Sequence, residues 1–186
     1  GTTILTLHGT GGDEADLMPL AHKAAPNATL MGLRGRSTES GTLRWFRGFG
    51  PGIYDQKDVR FEAGAFAAFI GEIESAYGLT KDKTVGLGYS NGANFLAASM
   101  LLHPGLVKRA VLLRPAMVLN EVPEVDLTGT RVLIVVGEKD AFRGEGEKLA
   151  QALMAAGAEV TTDTIADGHA LTDADAEIVR MWLEES

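Results

Sequence analysis

TVGLGYSNG, residues 84–92, decides the fold of this chain because it turns a short apolar strand directly into a helix. Gly88 and Gly92 stand two residues before and after Ser90. Glycine is required there because a sharp strand-to-helix turn brings the two backbones close together. Such a turn exposes the serine hydroxyl above the edge of a sheet, beside the unpaired N–H groups of a helix N-terminus. Ser90 is therefore a candidate nucleophile.

Short apolar runs alternate with helical patterns along the chain, which is typical of an α/β fold with a mainly parallel sheet. Six strands are predicted, at Thr3–His8, Thr29–Leu33, Thr84–Tyr89, Arg109–Leu113, Arg131–Val136 and Glu159–Ile165. If the first strand lies between the second and the third, the order is 2-1-3-4-5-6, and the loops after strands one and three meet where such sheets bind ligands. We expect a single doubly wound domain over residues 1–186, with helices on both faces. Only Arg114–Gly129 separates the fourth and fifth strands, so no cap domain is expected.

Composition excludes several functions. The formal net charge of −8 gives no reason to expect nucleic acid or an anionic membrane as a partner. The chain has no cysteine, so disulfides, thiolate metal sites and a cysteine nucleophile are excluded. No apolar run is long enough to span a bilayer. We expect a cytoplasmic monomer or homodimer that acts on a small molecule.

A serine nucleophile needs a base within hydrogen-bond reach, usually a histidine, and the chain has four. His103 lies thirteen residues beyond Ser90 on the helix, about 20 Å away. His22 belongs to the first helix, and His8 is expected to hold a glycine-rich loop by hydrogen bonding. His169 follows the last strand, at the sheet edge where open α/β sheets place their ligands. His169 is therefore the predicted base.

The acid that orients this histidine is expected between the serine and the histidine in the chain. The most hydrophobic strand is followed at once by Gly137-Glu138-Lys139-Asp140, which makes Asp140 the predicted acid. Its carboxylate would orient the imidazole and stabilise the imidazolium. Asp126 and Asp167 remain open as alternatives, while Glu138 is less favoured because its side chain is expected to face away.

A glycine-rich loop, HGTGGDE at residues 8–14, follows the first strand. Its glycines let the backbone approach a substrate oxygen closely. In such folds an oxyanion hole pairs the amide after the nucleophile with an amide from this loop. The backbone N–H groups of Thr10 and Asn91 are the predicted donors. A phosphate loop is excluded because neither G-x-G-x-x-G nor G-x-x-x-x-G-K-[ST] fits the spacing.

The stretch Arg34–Arg60 is rich in glycine and has no clean period, and long loops of this kind usually carry function. Candidate apolar walls of a substrate site are Trp45, Phe46, Phe49, Met117 and Leu171. The chain also places arginines here and just past a strand end, at Arg34, Arg36, Arg44, Arg47 and Arg114. We include Arg47 among the substrate-binding candidates and hypothesise that these arginines favour an anionic substrate or leaving group. The alternative is that they are solvated or paired within the chain.

Together these motifs resemble the small bacterial carboxylesterase/phospholipase family of α/β hydrolases, over nearly the whole chain. The loop at 8–14 and Trp45-Phe46-Arg47 are similar to those of its hydroquinone-linked esterase branch. The resemblance implies a serine hydrolase of carboxylic esters, with thioesters and lysophospholipids as further candidate substrates. The expected lack of a cap domain favours small or short-acyl esters. It also implies an acyl-enzyme on Ser90 and no metal or other cofactor. Asn91 stands where the wider group often has glutamine, which leaves the backbone donor intact.

Two other functions stay open. One is a non-catalytic binding module on the same fold, which would form no covalent adduct at Ser90. The other is a cofactor-free enzyme of a different reaction class, such as a dioxygenase or lyase acting on aromatic compounds. That enzyme would keep its activity in Ser90→Ala. Metal-dependent versions are disfavoured because the sequence has no His-x-x-x-His or comparable ligand cluster.

Overall fold

Six parallel strands form the central sheet of the computed structural model, which describes residues 1–186. In chain order the strands are β1 Thr3–Leu7, β2 Thr29–Leu33, β3 Gly48–Gly50, β4 Ile53–Tyr54, β5 Thr84–Tyr89, β6 Arg109–Leu113, β7 Arg131–Gly137 and β8 Glu159–Ile165. The sheet order is β2-β1-β5-β6-β7-β8, and every neighbouring pair is parallel. This confirms the predicted order, and the predicted bounds differ from the observed ones by at most one residue.

Helices cover both faces of this sheet, as predicted. They are α1 Met18–Ala24, α2 Gln56–Tyr77, α3 Asn91–Leu102, α4 Arg143–Ala155 and α5 Asp173–Glu185. Alternate strand residues point to opposite faces, so Leu5 and Leu7 of β1 join the apolar cluster under α2, α3 and α4. Ile4 joins the smaller cluster under α1 and α5. None of the helices combines the length and the hydropathy needed to cross a bilayer.

The segment between β2 and α2 is more ordered than its sequence indicated. Strands β3 and β4 form an antiparallel hairpin, and Ser37 pairs with Arg44 in an isolated bridge. Helix α2 already begins at Gln56, where the Asp55 side chain accepts a hydrogen bond from the Asp58 amide as its N-cap. Strands of two or three residues are too short to show a period, which is why the sequence pattern did not reveal them.

The turn at Ser90 is strained and closely packed. Ser90 has φ 52° and ψ −116°, a left-handed conformation uncommon outside glycine. A Cβ atom added at Gly88 would lie 2.7 Å from the Ala93 Cα, and one added at Gly92 would lie 2.1 Å from the Leu7 carbonyl oxygen. The first turn of α3 therefore rests directly against the end of β1, which only glycine at these positions allows.

We expect Gly92→Ala to lower the free energy of unfolding by about 1–3 kcal/mol, because its methyl group has to push α3 away from β1. Urea denaturation measures this. The matched control is Gly71→Ala in α2, where an added Cβ meets no atom within 4 Å. That variant should gain up to about 1 kcal/mol, since alanine is the better helix former. Equal stability of the two variants would contradict the close contact at Gly92.

Candidate active site

Three side chains singled out by the sequence meet at the carboxyl end of the sheet. The Ser90 Oγ lies 2.8 Å from the His169 Nε2, and the His169 Nδ1 lies 2.8 Å from the Asp140 Oδ2. The Asp140 side chain is only 3% exposed, whereas that of His169 is 37% exposed. A buried carboxylate on one imidazole nitrogen and a hydroxyl on the other is an arrangement that can deprotonate the serine.

The other acids considered from the sequence lie outside this chain of hydrogen bonds. The Asp126 carboxylate accepts from both the amide and the hydroxyl of Thr128. Asp167 and Glu138 make no side-chain hydrogen bond and are exposed. Asp140 uses its second oxygen as well, because Oδ1 accepts from the Phe142 amide at 3.0 Å. Its carboxylate is therefore held in orientation from two sides.

The two predicted oxyanion donors line the same cavity as Ser90. The Thr10 amide donates no hydrogen bond within the chain, while the next amide, that of Gly11, donates to the Leu43 carbonyl at 2.8 Å. Asn91 is the first residue of α3, and the amides of a first helical turn have no intrahelical acceptor. Thr10 and Asn91 therefore both border the cavity beside Ser90, and the binding of an oxyanion by their N–H groups stays a prediction.

His8 lies under the glycine-rich loop and is almost fully buried. Its Nε2 accepts from the Gly35 amide at 3.0 Å, so the ring proton sits on Nδ1 and donates to the Gly9 carbonyl at 2.7 Å. The His8 carbonyl accepts from the Trp45 indole N–H at 2.9 Å. With both nitrogens engaged, His8 positions the loop and faces no substrate.

The side chain of Asn91 supplies a further link that sequence reasoning did not find. Its Oδ1 accepts from the Trp45 backbone amide at 2.9 Å. The residue after the candidate nucleophile therefore fixes the loop that carries Trp45 to the start of α3. Nothing local in the sequence marks this bond, since the two residues are 46 positions apart.

Of the six residues considered as substrate-binding candidates, all but Phe49 lie outside the cavity that contains Ser90. Buried in the core under α2 and α3 are Trp45, Phe46 and Met117. Leu171 packs on the cluster of the opposite face. Arg47 is exposed and pairs with Asp55 at 2.9 Å. The two aromatic residues anchor the loop because their rings stack against Phe95, with centroids 5.4 Å and 6.1 Å away.

The cavity beside Ser90 is open and has a volume of about 720 Å³. Its aromatic walls are Phe49 and Tyr54 from the β3–β4 hairpin and Phe142 from the start of α4. Phe49 was among the apolar residues that the sequence indicated, while Tyr54 and Phe142 were not. Burial raises the pKa of the Tyr54 phenol, with the Glu145 carboxylate acting in the same direction, so the group stays neutral.

Arg114 holds the loop that carries His169. Its guanidinium is fully buried and forms two hydrogen bonds with the Asp175 carboxylate, at 2.8 Å and 2.9 Å. The same group donates to the carbonyls of Gly168 and Ala170, at 2.9 Å and 3.2 Å, on either side of the histidine. Arg114 is thus occupied inside the protein, although its place at a strand end suggested a role toward substrate.

Tyr89 completes the support of this loop. Its hydroxyl donates to the His169 carbonyl at 3.0 Å, and the two rings lie 5.6 Å apart. Burial raises the pKa of this phenol, so it remains a donor. The backbone carbonyls of residues 168–170 are all held by side chains, which fixes the imidazole relative to Ser90.

Comparison with known proteins places this geometry in context. No model of a protein family matches the sequence. The chain is 35% identical to MhqD of Bacillus subtilis (strain 168), a protein named as a hydrolase, over 98% of this chain and 92% of that protein. It superposes on a carboxylesterase from Mesorhizobium loti with a TM-score of 0.96 and 45% identity, covering 100% of this chain and 89% of that one. A Bacillus cereus carboxylesterase gives a TM-score of 0.94 and 34% identity over 99% and 88% of the two chains.

The sheet order, the strained serine turn and the helices on both faces define an α/β hydrolase without a cap domain. Given the identity to MhqD over nearly the full length of both chains, the protein belongs to the small bacterial carboxylesterase/phospholipase family of α/β hydrolases. This confirms the resemblance noted in the sequence. The chain is a hydrolytic enzyme, not a non-catalytic binding module.

We expect Asp175→Asn to lower the free energy of unfolding by about 3 kcal/mol or more, because it leaves the Arg114 charge buried without a carboxylate. Hydrolytic activity should fall with it, since Arg114 holds the His169 loop. The control is Asp173→Asn in the same helix, whose side chain is 96% exposed and pairs with Lys23. That change should cost less than about 1 kcal/mol. Denaturant titration that gives the same stability for both variants would contradict the role of the buried pair.

Proposed function

We propose that this protein is a serine carboxylesterase that cleaves small or short-acyl esters through an acyl-enzyme on Ser90. The observation that carries the proposal is the pair of 2.8 Å contacts that link the Ser90 hydroxyl, the His169 imidazole and the Asp140 carboxylate. The similarity to two carboxylesterases of known structure supports esters as the substrate class. We further propose that residues 1–186 act as one catalytic domain that works without a cofactor.

In this mechanism the Ser90 Oγ attacks the ester carbonyl carbon while the His169 Nε2 takes the hydroxyl proton. The carbonyl oxygen gains the negative charge and is bound by the Thr10 and Asn91 amides. The tetrahedral species expels the alcohol, which takes the proton from His169. A water molecule then repeats the attack on the acyl-enzyme, with His169 again as base, and releases the acid and free Ser90.

The shape of the cavity supports small substrates. No cap covers it, because the chain between β6 and β7 contains no helix or strand. Most of its lining residues are polar or glycine, and its large apolar side chains are Phe49, Tyr54 and Phe142. A long acyl chain would find no continuous apolar tunnel in such a site.

Ser90→Ala should lower kcat/KM for p-nitrophenyl acetate and butyrate by roughly 10⁴–10⁶-fold, because the nucleophile is lost. A fluorophosphonate should label the parent enzyme at Ser90 and leave the variant unlabelled. The control is Ser99→Ala in the same helix, whose buried hydroxyl has no hydrogen-bond partner and lies outside the cavity. Turnover that survives in Ser90→Ala would point to a different chemistry on this fold.

The identity of the acid has its own test. Asp140→Asn should reduce kcat by about 10³–10⁴-fold with the fold unchanged, because the amide no longer stabilises the imidazolium. Asp167→Asn, on the same loop as His169, should retain the parent rate since its side chain makes no hydrogen bond. Steady-state kinetics with p-nitrophenyl acetate compare the two. A larger loss in Asp167→Asn would reassign the acid.

A further inference from the structure

The arginines near the site differ in whether their guanidinium groups pair with a carboxylate of the protein. Those with a carboxylate partner within 3.0 Å are Arg34 with Glu14, Arg36 with Glu62, Arg47 with Asp55 and Arg114 with Asp175. Arg44 differs from all of them. Its guanidinium forms no ion pair and no hydrogen bond, and its Nε is buried without a partner. The Nη groups of Arg44 also form no hydrogen bond but, unlike Nε, they are not buried, so they can bind a ligand in the cavity.

The backbone of Arg44 is fixed beside the catalytic centre. Arg44 exchanges two hydrogen bonds with Ser37, at 2.7 Å and 3.0 Å. The residue before it accepts from the Gly11 amide at 2.8 Å, and the residue after it donates to the Asn91 side chain at 2.9 Å. Arg44 is therefore tied to both elements that supply the predicted oxyanion donors. Its side chain lines the same cavity as Ser90.

Glu39 is the one acidic side chain on the wall of this cavity. Its Oε2 accepts from the Gly48 amide at 3.2 Å, at the base of the hairpin, and it does not pair with Arg44. One free guanidinium opposed by one carboxylate suits a singly charged ligand. A phosphate monoester, with a charge of about −1.5 to −2, would need more cationic partners than the cavity offers.

We propose that Arg44 is a substrate-binding residue that selects esters carrying a carboxylate group. The accessible Nη donors of the guanidinium lie in one plane and match the two oxygens of a carboxylate. This assignment rests on the proposed esterase function and adds the charge class of its substrate. Of the arginines that the sequence suggested for an anionic substrate, the proposal assigns this role to Arg44 alone.

The test compares matched esters that differ in charge. The pairs are monomethyl glutarate against dimethyl glutarate, and 4-acetoxybenzoate against 4-acetoxybenzamide, which place the anion on the acyl or the leaving side. The readout is the ratio of kcat/KM for the anionic to the neutral ester, followed in a pH-stat. Arg44→Gln should lower this ratio by about 10- to 100-fold for at least one pair, since it removes a charge-assisted hydrogen bond.

Two further variants separate a contact from a general charge effect. Arg34→Gln removes the same charge from the same loop at a site that faces Glu14, so its ratio should equal that of the parent enzyme. Glu39→Gln keeps an acceptor for the Gly48 amide but removes the opposing charge, so its ratio should rise. An equal fall of the ratio in Arg34→Gln would overturn the assignment of Arg44.

Three further results would contradict either the role of Arg44 or the proposed esterase function. If Arg44→Gln slows neutral and anionic esters to the same extent, Arg44 serves the structure or the oxyanion, and the proposal fails. If the esters are hydrolysed without dependence on Ser90, the proposed function fails by itself. Titration calorimetry with glutaramate, the singly charged monoamide of glutarate, then still tests Arg44, because binding needs no turnover. Equal affinity of the parent enzyme and Arg44→Gln for glutaramate would overturn the carboxylate site.

Discussion

The contact between the first turn of α3 and the end of β1 is the constraint on which the rest of the site depends. Gly92 allows the helix to approach the Leu7 and His8 carbonyls so closely that no side chain fits between them. This approach holds Ser90 in its left-handed conformation and places it at the helix N-terminus. It also brings the loop after β1 close to Ser90. The same contact therefore fixes the positions of the proposed nucleophile and of the amides that would bind the oxyanion. Backbone hydrogen bonds hold the strained turn as well, because the Ser90 amide donates to the Leu113 carbonyl at 2.9 Å and the Ser90 carbonyl accepts from the Asn94 amide at 2.8 Å.

A second set of contacts positions His169, which lies on the loop after the edge strand β8. His169 follows β8, three strands away from β5, and reaches Ser90 only because its loop folds back over the sheet edge. Arg114 and Tyr89 hold the carbonyls of this loop, and Asp175 neutralises the buried guanidinium. Burying such a pair contributes little net stability because both ions lose hydration. The pair instead fixes the position of the His169 loop, since each N–H group of Arg114 donates to a particular acceptor. The His169 imidazole, proposed as the base, is thus oriented by side chains that bind the backbone of its own loop.

The sequence predicted the features that depend on neighbouring residues or on chain order. The strands and the turn at Ser90 follow from local hydrophobic pattern and glycine spacing, and Asp140 and His169 follow from their positions after the last two strands. The sequence could not predict features that depend on packing between residues far apart in the chain. Trp45 and Phe46 are aromatic residues in a glycine-rich loop, and only the position of Phe95 shows that they face the core. The partner of Arg114 lies 61 residues away, so no local pattern could show that this arginine is occupied.

The segment around Trp45 joins two roles that are usually separate. Its aromatic side chains fill the core under α2 and α3, while Arg44, the residue before them, lines the cavity beside Ser90. Hydrogen bonds with Gly11, Ser37 and Asn91 also hold the backbone of this loop in place. The groups proposed to break the ester come from the sheet and the turns at its edge, whereas the charge that selects the ester comes from this loop. Because the Arg44 side chain makes no hydrogen bond or ion pair with Ser90, His169 or Asp140, a substitution at Arg44 can alter the preferred substrate and leave the geometry of Ser90 and His169 intact. Substrate choice and catalytic chemistry can then change independently, as expected where functional loops are mounted on a rigid scaffold.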